Sequence, residues 1–261
     1  MAKLKNTVEY EIKGHIGYVH IDNPPANILN RTILGSLEVA LQALICDNDV
    51  LIIIITGRGE KFFAGGADIN EFKQLNQKSG EIWLSFFQKV FSLIHHSTKV
   101  VIAAINGYAL GGGCELALAC DLRIASENAK FAQPEVNYNI IPGAGATQRL
   151  THLIGLGRAK DLIFTGRIID AKEAYQIGLV NRVVPHEQLI NEAQNLAQEI
   201  LNKGPIAIKF AKEAINSSLE FSLRDGLDLE LSLFGKICAT EDKNEGVDAF
   251  FEKRTPNFKG K

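Results

Sequence analysis

The stretch over residues 103–135, AAINGYALGGGCELALACDLRIASENAKFAQPE, constrains the fold more than any other part of the chain. An apolar run, Val100 to Ile105, reads as a strand and leads into Asn106-Gly107. Gly111, Gly112 and Gly113 follow, and a short helix is expected over residues 114–120. That helix is apolar on every face except at Glu115, and a helix apolar all round is a buried one. A carboxylate on a buried helix is costly unless it is paired, hydrogen-bonded or protonated. One structural reason for Glu115 is its place in the first turn, where free backbone N–H groups favour negative charge. A chemical reason is the alternative, and the glycines bear on it.

Glycine permits positive φ and lets a backbone approach a ligand closely. At a strand-to-helix junction it also leaves N–H groups unpaired and aimed outward. Such groups bind a phosphate or the oxyanion of an activated carbonyl. A phosphate fits poorly. The G-x-G-x-x-G pattern fails because Leu116 stands three positions after Gly113, and no Gly-Lys-Ser/Thr follows. A free N–H beside a buried glutamate points instead to carbonyl chemistry with an acid or base.

The flanking chain alternates strand and helix signals before turning helical. Val8, Tyr10 and Ile12 alternate, Gly14-His15 turns, and residues 16–21 alternate again, the pattern of a hairpin. Asp22-Asn23-Pro24-Pro25 ends it, since proline has no ladder donor. Asn30 is placed to cap a helix with Ile33, Leu37, Leu41 and Leu44 on one face. Residues 50–56 lack polar alternation and suit a strand buried on both faces. A loop over residues 57–68 bends at Gly65 and Gly66, and Asp68 to Glu71 has the spacing of a capping box, a structural role for Asp68. A helix over residues 81–95 packs Trp83, Phe86, Phe87, Val90, Phe91 and Ile94 inward; Trp83 and Phe87 are also placed to line a tail pocket.

Beyond the central stretch, short strands are expected near 122–125 and 130–131. The loop Gln133-Pro134-Glu135 comes next, then a flexible corner over 141–145, then a helix from Thr147. Asp170 caps AKEAYQIG, Gly178 ends it, and 180–184 is a short strand. Helical periodicity then covers 186–202, 205–218, 222–239 and 241–254. We divide the chain into an α/β core over residues 1–201 and a helical region over 202–261. Leu227, Leu231, Phe234 and Ile237 give that region more apolar surface than an isolated appendage could hide.

Composition excludes several classes. With 46% apolar and 22% charged residues, the 261-residue chain can build a sizeable core. A net charge of −2 leaves no electrostatic footprint for nucleic acid or a membrane surface. The 4 cysteines form no Cys-x-x-Cys and fit a reduced, cytoplasmic compartment, with Cys114 and Cys120 acting as small hydrophobes. His95-His96 is the one histidine pair; neighbours on a helix do not face each other, so it is a poor metal clamp, and no metal site is expected. The N-terminus lacks the pattern of a signal or transit peptide, and no apolar run is long enough to span a bilayer.

Two segments, GYALGGGCELALACD and FAQPEVNYNIIPGAGATQRL, resemble the hydratase branch of the crotonase (enoyl-CoA hydratase/isomerase) superfamily, and the likeness runs from Val8 to Lys259. The resemblance implies an α/β fold, a spiral of repeated strand-strand-helix turns, with a C-terminal helical region that packs protomers into trimers, which usually pair into hexamers. It implies hydration of the 2,3 double bond of a trans-2-enoyl-CoA to a 3-hydroxyacyl-CoA, as in fatty-acid oxidation. The CoA is part of the substrate, and no further cofactor is called for. The N–H groups of Ala67 and Gly112 would form the oxyanion hole, Glu115 would help activate the water, and Glu135 would supply the C2 proton. Further contacts to the thioester and its CoA are implied for Ala26, Ile28, Ala64, Gly65, Gly66, Asp68 and Gly111, and for Lys253 in FFEKRTPNF.

Two carboxylates around one water repel. At about 5 Å and an effective dielectric near 20 the repulsion is roughly 3 kcal/mol, or about two pKa units. One of the pair is therefore expected to carry a proton at neutral pH. Two rivals remain. A Δ3,Δ2-enoyl-CoA isomerase needs one carboxylate, and such enzymes generally keep the equivalent of Glu135 and lose that of Glu115. A catalytically silent scaffold, for RNA for instance, would need neither, and the chain has no basic cluster to suit one.

Overall fold

The computed structural model describes residues 7–261; the targeting-signal reading of residues 1–6 concerns a segment outside the described residues. Strands β1 (Thr7–Lys13) and β2 (Ile16–Asp22) form the expected antiparallel hairpin. Helix α1 (Arg31–Cys46) is capped by Asn30, whose side chain accepts from the Ile33 N–H at 3.0 Å. It buries Ile33, Leu37, Leu41 and Leu44, as their spacing requires.

Strand β3 (Ile52–Gly57) is buried at every residue. Next come β4 (Phe62–Ala64), the one-turn helix α2 (Ile69–Phe72) and α3 (Gln77–His95). Strands β5 (Val100–Ile105) and β6 (Tyr108–Leu110) lead into α4 (Gly112–Ala119). The helix thus starts at the second glycine rather than at Cys114. Strands β7 (Leu122–Ser126) and β8 (Lys130–Ala132) precede a 3-10 turn over Glu135–Tyr138, so Glu135 opens a turn of helix and is not in an open loop.

Helices α5 (Ala146–Ile154) and α6 (Leu156–Thr165), strand β9 (Ile169–Asp170), α7 (Ala171–Gln176) and β10 (Arg182–Val184) complete the core. Asp170 caps α7, accepting from the Glu173 N–H at 2.8 Å. Helix α8 (Leu189–Leu201) begins after a 3-10 turn, three residues later than its periodicity suggests. The C-terminal region is α9 (Pro205–Ser217), α10 (Leu223–Cys238) and α11 (Glu241–Glu252).

Two sheets result. The larger has strand order β1-β2-β3-β5-β7-β10, and the smaller β4-β6-β8-β9. Successive turns of the chain lay one strand in each: β3 then β4, β5 then β6, β7 then β8. This is the strand-strand-helix spiral, visible in topology though not as residue identity. Central strands are apolar on both faces because both faces are covered. Ile53 and Ile55 pack with α1 and α3, while Ile52 and Ile54 pack against Leu189, Ala193 and Ala197 of α8. Each such side chain contributes roughly 1.5–3 kcal/mol on burial.

The capping box expected at Asp68 is half present. Asp68 accepts from the Asn70 N–H at 2.9 Å, but the Glu71 carboxylate receives Trp83 Nε1–H from α3 instead of turning back. The helix that follows starts four residues earlier than expected, capped by Asn76 with Ser79 in the reciprocal role.

Candidate active site

Strands β4, β6 and β8 are neighbours and run parallel, so their C-terminal ends lie side by side. Each end carries a piece of one site. Strand β4 runs into Gly65-Gly66-Ala67, β6 into Gly111-Gly112 and the helix bearing Glu115, and β8 into Gln133-Pro134-Glu135. The Gly111 N–H donates to the Ala132 carbonyl at 2.9 Å and holds the last two together. A cavity of about 430 Å³ opens here, lined among others by Gly66, Ala67, Gly111, Gly112, Glu115 and Glu135. Those residues come from three separate segments, and the small sheet brings them together.

The glycines have steric reasons. Gly111 has φ +49°, and a Cβ there would meet Glu135 Oε1 at 2.9 Å. A Cβ on Gly113 would lie 2.0 Å from the Ala64 carbonyl oxygen, so α4 can approach β4 only through glycine. At Gly112 a Cβ would stand 3.5 Å from the Ala67 nitrogen and 3.6 Å from the Phe87 ring, in the space between the two amides. Ala67 meets Leu29 in an isolated parallel bridge whose bond is Leu29 N–H to the Gly66 carbonyl, which leaves the Ala67 N–H unused. Gly112 is the first residue of α4, where the N–H has no intrahelical acceptor. Two free amides therefore face the same cavity.

Glu115 is buried, at 3% exposure. Its Oε1 accepts from the Ala144 N–H at 2.8 Å and the Ala146 N–H at 3.0 Å, so it caps the start of α5 from another helix. Burial raises its pKa, while those amides and the Arg149 charge pull it back down. The far end of α4 is clamped by the buried Arg123, which donates to the Cys120 carbonyl at 2.6 Å.

Glu135 has fewer partners. Burial, and then the Glu115 charge, push its pKa up to about 8. Burial therefore outranks the mutual repulsion that the sequence suggested as the cause. With its amide nitrogen turned towards Glu135, buried Gln133 donates to both carboxyl oxygens at 3.1 and 3.2 Å. The neighbouring Cys114 thiol is pushed up to about 12 by burial, so it stays neutral. Burial thus raises both groups, with the turn's amides and Arg149 pulling Glu115 back and the Glu115 charge raising Glu135 further.

The cavity's inner wall is apolar. Phe72, Trp83, Leu84 and Phe87 line it, with Ile140 and Ile141 opposite. Trp83 meets Phe72 edge-on at 4.8 Å and Phe87 at a tilt at 4.5 Å between ring centroids. The remaining expected contacts lie outside this lining. Ala64 is buried in β4 beneath it, and Asp68 is occupied as the α2 cap. Ala26 and Ile28 abut Gly65, whose N–H donates to the Ala26 carbonyl at 2.8 Å. Buried Asn27 pins their loop by donating to the Phe62 carbonyl at 2.8 Å. Lys253 is exposed at the end of α11 with φ +56°.

Three contributors escaped the sequence reading: Gln133, and the amides of Ala144 and Ala146. One expectation also needs correction. His95, His96 and Glu220 bring ligand atoms within 4.8 Å of one another. His96 closes α3 with ψ 4°, leaving the helix so that the two rings meet edge-on. Burial first, then Arg149, His96 and Lys212, lower the His95 pKa to about 4. Arg149 and Lys212, which add to burial in keeping His95 neutral, also oppose a dication there.

Comparison with known proteins adds independent support. A family model described as enoyl-CoA hydratase/isomerase matches residues 11–261. The short-chain-enoyl-CoA hydratase of Clostridium acetobutylicum is 45% identical over 250 residues, 95% of this chain and 96% of that protein. The crotonyl-CoA hydratase of Syntrophomonas wolfei is 46% identical over 244 residues, 93% and 94% of the two chains. The crystal structure of an enoyl-CoA hydratase from Bacillus anthracis matches with a TM-score of 0.93 and 41% identity, over 98% of this chain and all of that one.

Proposed function

The chain belongs to the enoyl-CoA hydratase/isomerase family, and from that premise we infer that it hydrates trans-2-enoyl-CoA thioesters of short acyl chain. It is an enzyme of the hydratase type, and acyl-CoA is its substrate. One observation carries the residue assignment: two free amides, the buried Glu115 carboxyl and the half-buried Glu135 carboxyl line a single cavity.

The thioester oxygen sits between the N–H groups of Ala67 and Gly112. Glu115, as carboxylate, takes a proton from water while the water oxygen bonds to C3. The electrons of the 2,3 double bond move onto the thioester as an enolate, which the two amides stabilise; losing one such donor typically costs about 3–4 kcal/mol of barrier. Glu135, as carboxylic acid, delivers its proton to C2. One proton then passes from Glu115 back to Glu135 through solvent to restore the starting state. No metal or further cofactor enters this sequence. The short acyl group is supported by the relatives named short-chain-enoyl-CoA and crotonyl-CoA hydratase, and Trp83 and Phe87 give it an apolar wall. A cytoplasmic location is part of the reading, supported by four unpaired thiols. A trimer, alone or paired, is the assembly we propose, supported by the apolar surface left on α10 and α11.

A turnover panel of 2-enoyl-CoA esters from four to sixteen carbons, with a 3-enoyl-CoA arm, tests this. Crotonyl-CoA should give the highest kcat/KM. Glu115→Gln and Glu135→Gln should each lower kcat by about 10²–10⁴-fold with KM nearly unchanged. Turnover of the 3-enoyl ester alone would make the chain an isomerase and sink the hydratase reading.

A further inference from the structure

We propose that Arg149 is a positioning residue for the hydration step, locking the turn over residues 144–146 so that its amides hold the Glu115 carboxylate ready to take a proton from water. This rests on the hydratase reading. Arg149 is the fourth residue of α5, in the first turn, where a helix's own dipole disfavours a cation. Its position therefore needs a compensating contact. Arg149 Nη1 donates to the Ala144 carbonyl oxygen at 3.0 Å. That carbonyl belongs to the same peptide unit as the Gly145 N–H, which is among the groups favouring ionised Glu115. The amides on either side, Ala144 and Ala146, donate to Glu115 directly. A cation on the carbonyl end of a peptide polarises its N–H end, so the guanidinium strengthens as well as orients this cradle.

The turn and the arginine are fitted to each other. Gly145 has φ +128°, and a Cβ there would lie 2.1 Å from Arg149 Nη1. The guanidinium fills the place where a side chain would go. Burial works against the Arg149 charge, and Glu115 restores it, so each group favours the other's ionised form.

Other titratable groups around the pair are separable. Glu135 faces Glu115 across the cavity and titrates at about 8. Cys114 beside it is held at about 12, and Cys120, near Arg149, likewise. His95, on the other side of Arg149, is held at about 4. The acid limb of activity is therefore assigned to Glu115, whose protonation would remove the base.

The experiment measures kcat and KM for crotonyl-CoA from pH 5 to 9 in wild type, Arg149→Met, Arg149→Gln and Arg149→Lys. Removing the charge should lower kcat about 10–100-fold, with KM within about threefold, because a slightly misplaced base is costly in rate. It should also move the acid limb of kcat to higher pH by about one unit, since Glu115 loses a favouring cation. Arg149→Lys should return the limb towards wild type and recover part of kcat. Arg149→Gln gives the same reading if the methionine variant does not fold. An unmoved acid limb in both neutral variants, whether kcat is kept or falls together with a rise in KM, overturns the proposal. A wild-type enzyme inactive on every 2-enoyl thioester sinks the hydratase reading instead, and is seen before any variant is compared.

Discussion

Glu115 and Glu135 are the same residue type in one cavity, and burial raises the pKa of both, but their other neighbours differ. Glu115 has two fixed N–H donors and a nearby guanidinium, and so keeps a reason to be ionised. Glu135 has burial and a negative neighbour, and so holds its proton to about pH 8. Hydration should therefore decline above about pH 8 as the acid is lost, seen as an alkaline limb in kcat. The same shift has a stability consequence with a definite sign. The folded chain binds the Glu135 proton more tightly than the unfolded one, whose pKa is near 4.5. Stability contributed by this group thus falls as pH rises from about 4.5 to about 8 and is flat above. Glu135→Gln removes that loss. Its melting temperature should match wild type near pH 4.5 and exceed it at pH 8.5, where the gain in stability is about a few kcal/mol at most given the side chain's partial exposure. Equal differences at both pH values would show that Glu135 ionises freely in the folded protein.

At the scale of elements, the site is the work of the small sheet, and that sheet was the least legible part of the sequence. Strands β3 and β5 announce themselves as apolar runs, and α1, α3 and α10 by a 3.6-residue period, with a recognisable cap only at Asn30 before α1. Strands β4, β6 and β9 have three residues or fewer, too short for any period; neighbours dictate them, not their own pattern. The corner over residues 141–145 read as merely flexible because its part in the site is played by main-chain amides, which leave no side-chain signature. Gly145 and a first-turn arginine were its only marks. Glu115 and the three glycines stood out on their own, since a charge on an apolar helix and a run of glycines both need explaining, whereas Glu135, in a loop, was marked only by the family motif. Glycine positions also give an element-scale test. Gly113→Ala forces a Cβ against the Ala64 carbonyl and should cost more than about 2 kcal/mol while displacing the Ala67 amide and lowering kcat. Gly35→Ala, in α1 with nothing within 4 Å of its Cβ, should instead stabilise by about 0.5–1 kcal/mol with kcat unchanged. Urea denaturation of the two variants distinguishes strict from permissive glycines; a stable, active Gly113→Ala would show that β4 and α4 can part without loss.

On the scale of the whole molecule, the core is closed on itself and the C-terminal region is not. Helix α9 is anchored to it: Lys212 Nζ lies 2.8 Å from Asp121, the residue that follows α4 and its cap. Burial opposes the charge on Asp121, and Lys212 favours it, so the pair ties α9 to the rear of the site. Helices α10 and α11 point the other way. Leu227, Leu231 and Phe234 recur at i, i+4 and i+7 on α10, with Leu231 73% and Phe234 67% exposed, and Phe250 and Phe251 on α11 are similarly bare. A soluble chain seldom leaves so much contiguous apolar surface uncovered. A second and third copy of the same surface would cover it, as closed rotational symmetry allows. Wild-type protein should therefore sediment as a trimer or a multiple of three. Leu231→Glu combined with Phe234→Glu should shift it towards single chains, because each glutamate would have to be desolvated in the contact. Activity per chain should fall with dissociation if the contact steadies α9 and, through Lys212 and Asp121, the end of α4, which bears Glu115. A wild-type chain that sediments alone at micromolar concentration, with full turnover, would show that these helices need no partner.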